Sequence, residues 1–107
     1  MAEAQYLYLT TIGRVSGEPR EIETWFTQRG DCYYIIAEYE TSNWVRNVRT
    51  NPQVQFRVGI KVSDGRGRVL DPSTEAGLIA EVQQLSRDKY GWGEGLVVEV
   101  RPSTPTR

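Results

Sequence analysis

The chain has 107 residues, with 13 basic and 14 acidic side chains, a net charge of −1 and 38% hydrophobic residues. That length holds one domain with one modest core. So balanced a charge, with no Lys/Arg run, leaves no electrostatic footprint for nucleic acid or an anionic membrane. Histidine is absent and cysteine occurs once, at Cys32. This composition excludes an internal disulfide and histidine-dependent triads, removes the commonest metal ligand, and fits a reducing cytoplasm. No stretch reads as a signal peptide or a spanning helix.

The predicted elements begin with Tyr6 to Ile12, a β-rich run. The segment Gly13-Arg14-Val15-Ser16-Gly17-Glu18-Pro19-Arg20 follows, with two glycines, a proline, a hydroxyl and two guanidiniums. Glycine lets a backbone turn tightly and approach a ligand. Turned amides form anion-binding nests, and arginine is shaped to clamp phosphate. The same composition also suits a solvated hairpin loop. Arg20 to Gln28 reads as the second strand, with Ile22, Thr24 and Phe26 on one face and Glu21, Glu23, Trp25 and Thr27 on the other. Arg29-Gly30-Asp31 is a tight turn. Cys32 to Ala37 is a continuous apolar strand, as burial on both faces requires.

Thr41-Ser42-Asn43 offers an N-cap for a short helix carrying Trp44, Val45 and Val48, which Asn51-Pro52 ends. Val54 to Val62 alternates five apolar residues with polar ones. Asp64-Gly65 is a hairpin signal and Arg66 to Leu70 the return strand. Asp71-Pro72 reads as N-cap plus first-turn proline of a helix to about Arg87, burying Leu78, Ile79, Val82 and Leu85. Leu96 to Val100 is the last strand, and residues 102–107 form an expected disordered tail. Closure removes exposed sheet edges, so about six antiparallel strands with a short middle helix and a longer C-terminal helix predict a mainly β, closed or half-closed barrel over residues 1–101.

Three separated motifs share their order and spacing with one family. They are Leu9-Thr10-Thr11-Ile12-Gly13-Arg14-Val15-Ser16-Gly17 with Pro19-Arg20, then Trp44-Val45-Arg46-Asn47-Val48-Arg49-Thr50-Asn51-Pro52, and Lys89-Tyr90-Gly91-Trp92-Gly93. The chain resembles the deazaflavin-dependent nitroreductase and quinone-reductase family. That family lies within the split β-barrel superfamily that includes pyridoxamine-phosphate oxidases. The resemblance implies coenzyme F-420 as hydride carrier, or FMN as in some superfamily relatives, and a quinone, enone or nitroaromatic as small-molecule acceptor. It further implies that Arg14, Val15, Ser16, Gly17 and Arg20 hold the cofactor phosphate. Trp44 and Asn47 would line the cofactor channel, and Tyr90 would lie near the ring as a proton or hydrogen-bond donor. Two features depart from the pattern. Val15 stands where members commonly carry lysine, and Glu38-Tyr39-Glu40-Thr41 is acidic where some relatives have a basic Gly-rich insertion. Both keep FMN, or a reduced affinity, open.

The remaining residues have plainer readings. Trp44 also suits a core, and Tyr90 and Trp92 also suit a barrel plug. Trp25 fits either a dimer seam or a wall for a planar ring. Cys32 reads as a buried small hydrophobe, the Glu21/Glu23 pair reads as solvated, and no metal-ligand cluster is visible. A short chain with a long alternating strand has limited capacity to cover its own apolar surface, which predicts a homodimer.

Overall fold

Leu7, Leu9 and Thr11 alternate with Tyr6, Tyr8 and Thr10, and the computed structural model, which describes residues 4–103, buries the first set completely. They line the inner face of β1 (Tyr6–Ile12). There follow β2 (Pro19–Trp25), β3 (Thr27–Arg29), β4 (Cys32–Ala37), α1 (Asn43–Thr50), β5 (Gln53–Val58), β6 (Lys61–Val69), α2 (Ala76–Tyr90) and β7 (Leu96–Pro102). The strands form one antiparallel sheet in the order β2-β1-β5-β6-β7-β4-β3. Its two end strands, β2 and β3, are neighbours in the chain, separated only by Phe26. The sheet therefore curls until its ends meet at a bend of the backbone, which makes a split barrel.

Leu7, Leu9, Phe26, Ile35, Val54, Phe56 and Val100 fill the interior, and Val48 of α1 plugs it. A second cluster of Cys32, Tyr34, Leu70, Val82 and Val97 lies between the sheet and α2. β4 contributes to both clusters, so its continuous apolar sequence reflects burial on two faces.

Four expectations need correction. The predicted strand from Arg20 to Gln28 is two strands. Phe26 is buried, and its N–H donates to Tyr90 Oη instead of to a ladder. This bend lays Thr27–Arg29 on β4. The predicted strand Val54–Val62 turns back at Gly59-Ile60, pairing Val58 with Lys61. Gly59 takes φ +62°, which suits the first central position of a type II′ turn. Ile60 is fully exposed and Val62 about half exposed, so the five alternating apolar residues do not share one strand face. Asp64-Gly65 lies inside β6. Its glycine is needed because a Cβ there would sit 2.7 Å from the Arg101 carbonyl oxygen. The strand count is accordingly seven.

The third correction concerns α2. Asp71-Pro72 starts a turn: the Asp71 carboxylate accepts the Ser73 N–H (2.9 Å) and the Glu75 carboxylate accepts the Asp71 N–H (3.0 Å). The helix begins at Ala76 and runs past Arg87 to Tyr90, capped by Gly91 at φ +81°. Leu85 faces solvent, and Ser86 is buried in its place, its hydroxyl donating to the Trp92 carbonyl. Finally, β7 continues to Pro102, so the expected tail is strand at its first residue. Residues 104–107 lie outside the described residues.

Beneath α2, Tyr34 Oη donates to the buried carboxylate of Glu99 (3.0 Å), which also holds Arg68 (3.3 Å). Burial first, then this hydrogen bond, pushes the Tyr34 phenol up to about 12. Burial also raises the Cys32 thiol. Both groups are neutral in the fold, so their contribution is complete below their ordinary values and is lost as pH rises through the folded ones. The melting temperature is expected to fall steeply as pH climbs from 10 toward 12. Thermal unfolding by circular dichroism across that range checks this, and Tyr34→Phe should delay the onset.

Candidate functional site

The loop after β1 is closed by two backbone bonds. Gly13 N–H donates to the Glu18 carbonyl and Gly17 N–H to the Gly13 carbonyl, both at 2.8 Å. Gly17 takes φ +74°, which a residue with a Cβ rarely adopts. Ser16 Oγ accepts the Glu18 N–H (3.2 Å) and lies 3.5 Å from Arg20 Nη2.

Arg14 is held from α1. Its backbone N–H and its Nη1 both donate to Asn47 Oδ1, at 3.2 and 2.9 Å, and Nη2 donates to Asn43 Oδ1 at 3.4 Å. Asn47 is itself fixed, because its Nδ2 donates to Thr11 Oγ1 at 3.1 Å and both residues are buried. The relay Thr11–Asn47–Arg14 thus ties the loop to strand and helix. No carboxylate lies within ion-pair distance of Arg14 or Arg20 among the described residues. Ser42 caps α1 without a side-chain bond, and the first turn carries no acid. The first intrahelical bond is Arg46 N–H to the Ser42 carbonyl. The N–H groups of Asn43, Trp44 and Val45 therefore lack helical acceptors and give the helix start a positive end.

Arg14, Val15, Ser16, Arg20, Trp44 and Asn47 line one cavity of about 470 Å³. The structure thus brings together six of the seven residues expected at the cofactor, and Gly17 shapes the turn without lining it. Thr11, Asn43 and Ile22 belong to the same site and were not expected there. A short polar side chain on an apolar strand face was the available signal for Thr11.

A second cavity of about 540 Å³ shares Ile22 and Trp44 as walls. Trp25, Tyr39 and Trp92 line it, together with the carboxylate-bearing Glu23 and Glu38. Trp25, which suited either a dimer seam or a wall for a planar ring, lines this cavity.

Tyr90 lines neither cavity. Its ring stacks on Trp25 with centroids 4.4 Å apart and planes 5° from parallel. Its hydroxyl accepts the Phe26 N–H (3.1 Å) and has the carbonyls of Gln5 (2.7 Å) and Phe26 (2.9 Å) as acceptors. Lys89 Nζ donates to the Ala4 and Phe26 carbonyls beside it. The pair clamps the bend between β2 and β3 and backs Trp25 from behind. Tyr90→Phe is expected to lower folding stability by about 1–3 kcal/mol, because partly buried backbone groups lose their partner. Thermal unfolding reads this. An unchanged melting temperature with a tenfold slower single turnover would instead assign the phenol to proton delivery.

Among the described residues, no three His, Cys, Asp or Glu side chains are grouped to hold a metal, and no helix is long and apolar enough to cross a membrane.

A loop carrying Arg14 and Arg20 and an aromatic cavity lie side by side on one split barrel, joined at Ile22 and Trp44. The F420H(2)-dependent quinone reductase family model matches residues 1–98, and the chain belongs to that family. It is 32% identical over 59 residues to the F420H(2)-dependent quinone reductase of Mycobacterium tuberculosis strain H37Rv. That match covers 51% of this chain and 40% of the relative, so the similarity spans well under half of the relative's length. Two solved structures share the fold. An F420-H2 dependent reductase superposes with TM-score 0.72 at 23% identity, covering 90% of this chain and 93% of its own. HutZ, the haem storage protein of Vibrio cholerae, gives TM-score 0.79 at 17% identity over 96% and 84%.

Proposed function

We propose that the protein is a reductase that carries a hydride from reduced coenzyme F-420 to a small planar acceptor such as a quinone. The observation that carries this reading, beside the family match, is the pair of guanidiniums that have no carboxylate partner among the described residues and face a helix start that lacks acid. Such a lobe fits a phosphate. Arg14 and Arg20 would clamp it and Ser16 would add a hydroxyl, while Asn47 fixes the direction of the Arg14 fork. Ile22 and Trp44 would wall the planar part of the coenzyme, and the aromatic lobe would receive the acceptor. The bound coenzyme supplies the hydride: a quinone gains those two electrons and, with a proton from solvent, becomes a hydroquinone. The chain itself binds, aligns and excludes water, which explains why no acid–base dyad is needed.

Titration of purified protein with coenzyme F-420 and with FMN, followed by fluorescence and then by mixing with a naphthoquinone, tests the reading. Saturable deazaflavin binding with oxidation by the quinone is expected. Binding of FMN alone, or binding with no oxidation by any acceptor, overturns it and favours an FMN protein or a carrier.

Val15 is almost wholly exposed at the rim of the basic lobe. Val15→Lys is expected to tighten binding of the anionic coenzyme severalfold at low salt. The gain should shrink toward 1 M salt, as the Debye length falls to about 3 Å. Isothermal titration at two ionic strengths checks this. The reading includes a homodimer in the cytoplasm, supported by the single buried thiol and by Ile60 and Val62 exposed on the β5–β6 hairpin.

A further inference from the structure

The two lobes of the groove carry opposite charge. Arg14 and Arg20 line one, whereas among the described residues no lysine or arginine lines the other. There, Glu23 and Glu38 stand beside Trp25, Tyr39 and Trp92 around about 540 Å³. Glu23 is held in place, its Oε2 accepting the Tyr8 hydroxyl at 2.6 Å. The nearby guanidinium of Arg57 is stacked 4.2 Å above the Tyr8 ring and does not line the cavity. Trp25 and Trp92 meet edge to face, at 63° with centroids 6.4 Å apart, and Tyr90 stacks on Trp25. The ring set is therefore held before any ligand arrives.

We infer that the aromatic lobe selects planar acceptors that are neutral or cationic and rejects those bearing an anionic substituent. Aromatic faces attract a cation through their quadrupole, and two carboxylates at the same cavity add attraction of the same sign. An anionic ring would meet like charge with no compensating lysine or arginine among the described lining residues, which discriminates more sharply than a missing contact. The inference rests on the reductase reading for what the lobe receives, and on the cavity alone for its charge preference. It also divides the groove by charge, since an anionic group goes to the Arg14–Arg20 end and cannot compete for the aromatic end.

The test uses the full chain and a pair of unreactive probes of equal shape, naphthyl-trimethylammonium and naphthalenesulfonate. Inorganic phosphate is added to occupy the basic lobe, and tryptophan fluorescence reads binding. The cation is expected to bind about tenfold more tightly. That preference should shrink at high salt and fall in Glu23→Gln/Glu38→Gln to the part that the aromatic faces supply. Equal affinities, or a preference that the double substitution leaves undiminished, overturn the inference. A parallel assay compares KM for a naphthoquinone and its sulfonated analogue with the coenzyme present. The sulfonate should have a KM about tenfold higher, restored toward parity by the double substitution. Equal KM values in the wild type overturn the inference. Turnover of neither quinone overturns the reductase reading, and the probe arm then still decides the charge preference.

Discussion

Arg14→Ala is expected to lower affinity for coenzyme F-420 by about 1.5–3 kcal/mol, roughly ten- to a hundredfold, the scale for hydrogen bonds to a charged group. The expectation follows from a guanidinium oriented by Asn47 and Asn43 in a lobe with no carboxylate partner among the described residues. The same substitution leaves the buried Asn47 Oδ1 without the Nη1 donor, so a modest fall in melting temperature should accompany it. Arg14→Lys separates the two effects. It restores a cation but not the planar fork, and it should recover part of the affinity while the melting temperature stays low. Calorimetric titration at moderate salt measures both variants. An affinity unchanged in Arg14→Ala would remove the loop from the binding site.

Gly95→Ala is expected to destabilise the fold by about 2–5 kcal/mol. Gly95 adopts φ +130°, and a Cβ there would overlap the Ala37 carbonyl oxygen and come within 2.9 Å of Ile36 Cγ2. Neither obstacle can give way without parting β7 from β4, which are paired at Ala37↔Leu96 immediately beyond. Gly77→Ala makes the contrast. That glycine lies in α2 with open space around its Cα, so alanine should leave stability unchanged or raise it by up to about 1 kcal/mol. Urea unfolding of the two variants compares them directly. Equal midpoints would mean that the β4–β7 contact is not the constraint.

Much of the barrel was legible because it rests on local chemistry. The bounds of the first strand and of Cys32–Ala37 come from period-two and continuous apolar patterns that burial enforces. The juxtaposition of the loop after β1 with α1 was legible from the shared motifs. What was not legible depended on contacts distant in sequence. The break at Phe26 is made by Tyr90, 64 residues away, whose hydroxyl takes the Phe26 N–H. Asp64-Gly65 carries turn residues, but its glycine answers to the close approach of Arg101. Gly59-Ile60 turns the chain despite an apolar second residue, because only the first position needs positive φ. Thr11 offered only a short polar side chain on an apolar strand face as a signal, since its partner Asn47 arrives from α1. The side-chain placement of Tyr90 was hidden for the same reason: its acceptors lie at the other end of the chain.

The seam at Phe26 leaves one side of β2 without a neighbouring strand. Unpaired backbone groups on such an edge are a template on which another chain can add a strand and begin a fibre. This edge carries its own deterrents. Pro19 cannot donate a hydrogen bond, and Arg20, Glu21 and Glu23 place charge along an exposed strand. The other free edge, β3, is braced by the Arg29–Glu81 ion pair to α2, at 3.1 Å. An intruding strand would have to desolvate those charges, whereas a small flat molecule entering beside Ile22 and Trp44 would not. The same opening therefore leaves room for a small flat ligand while it resists recruitment of a second chain into the sheet.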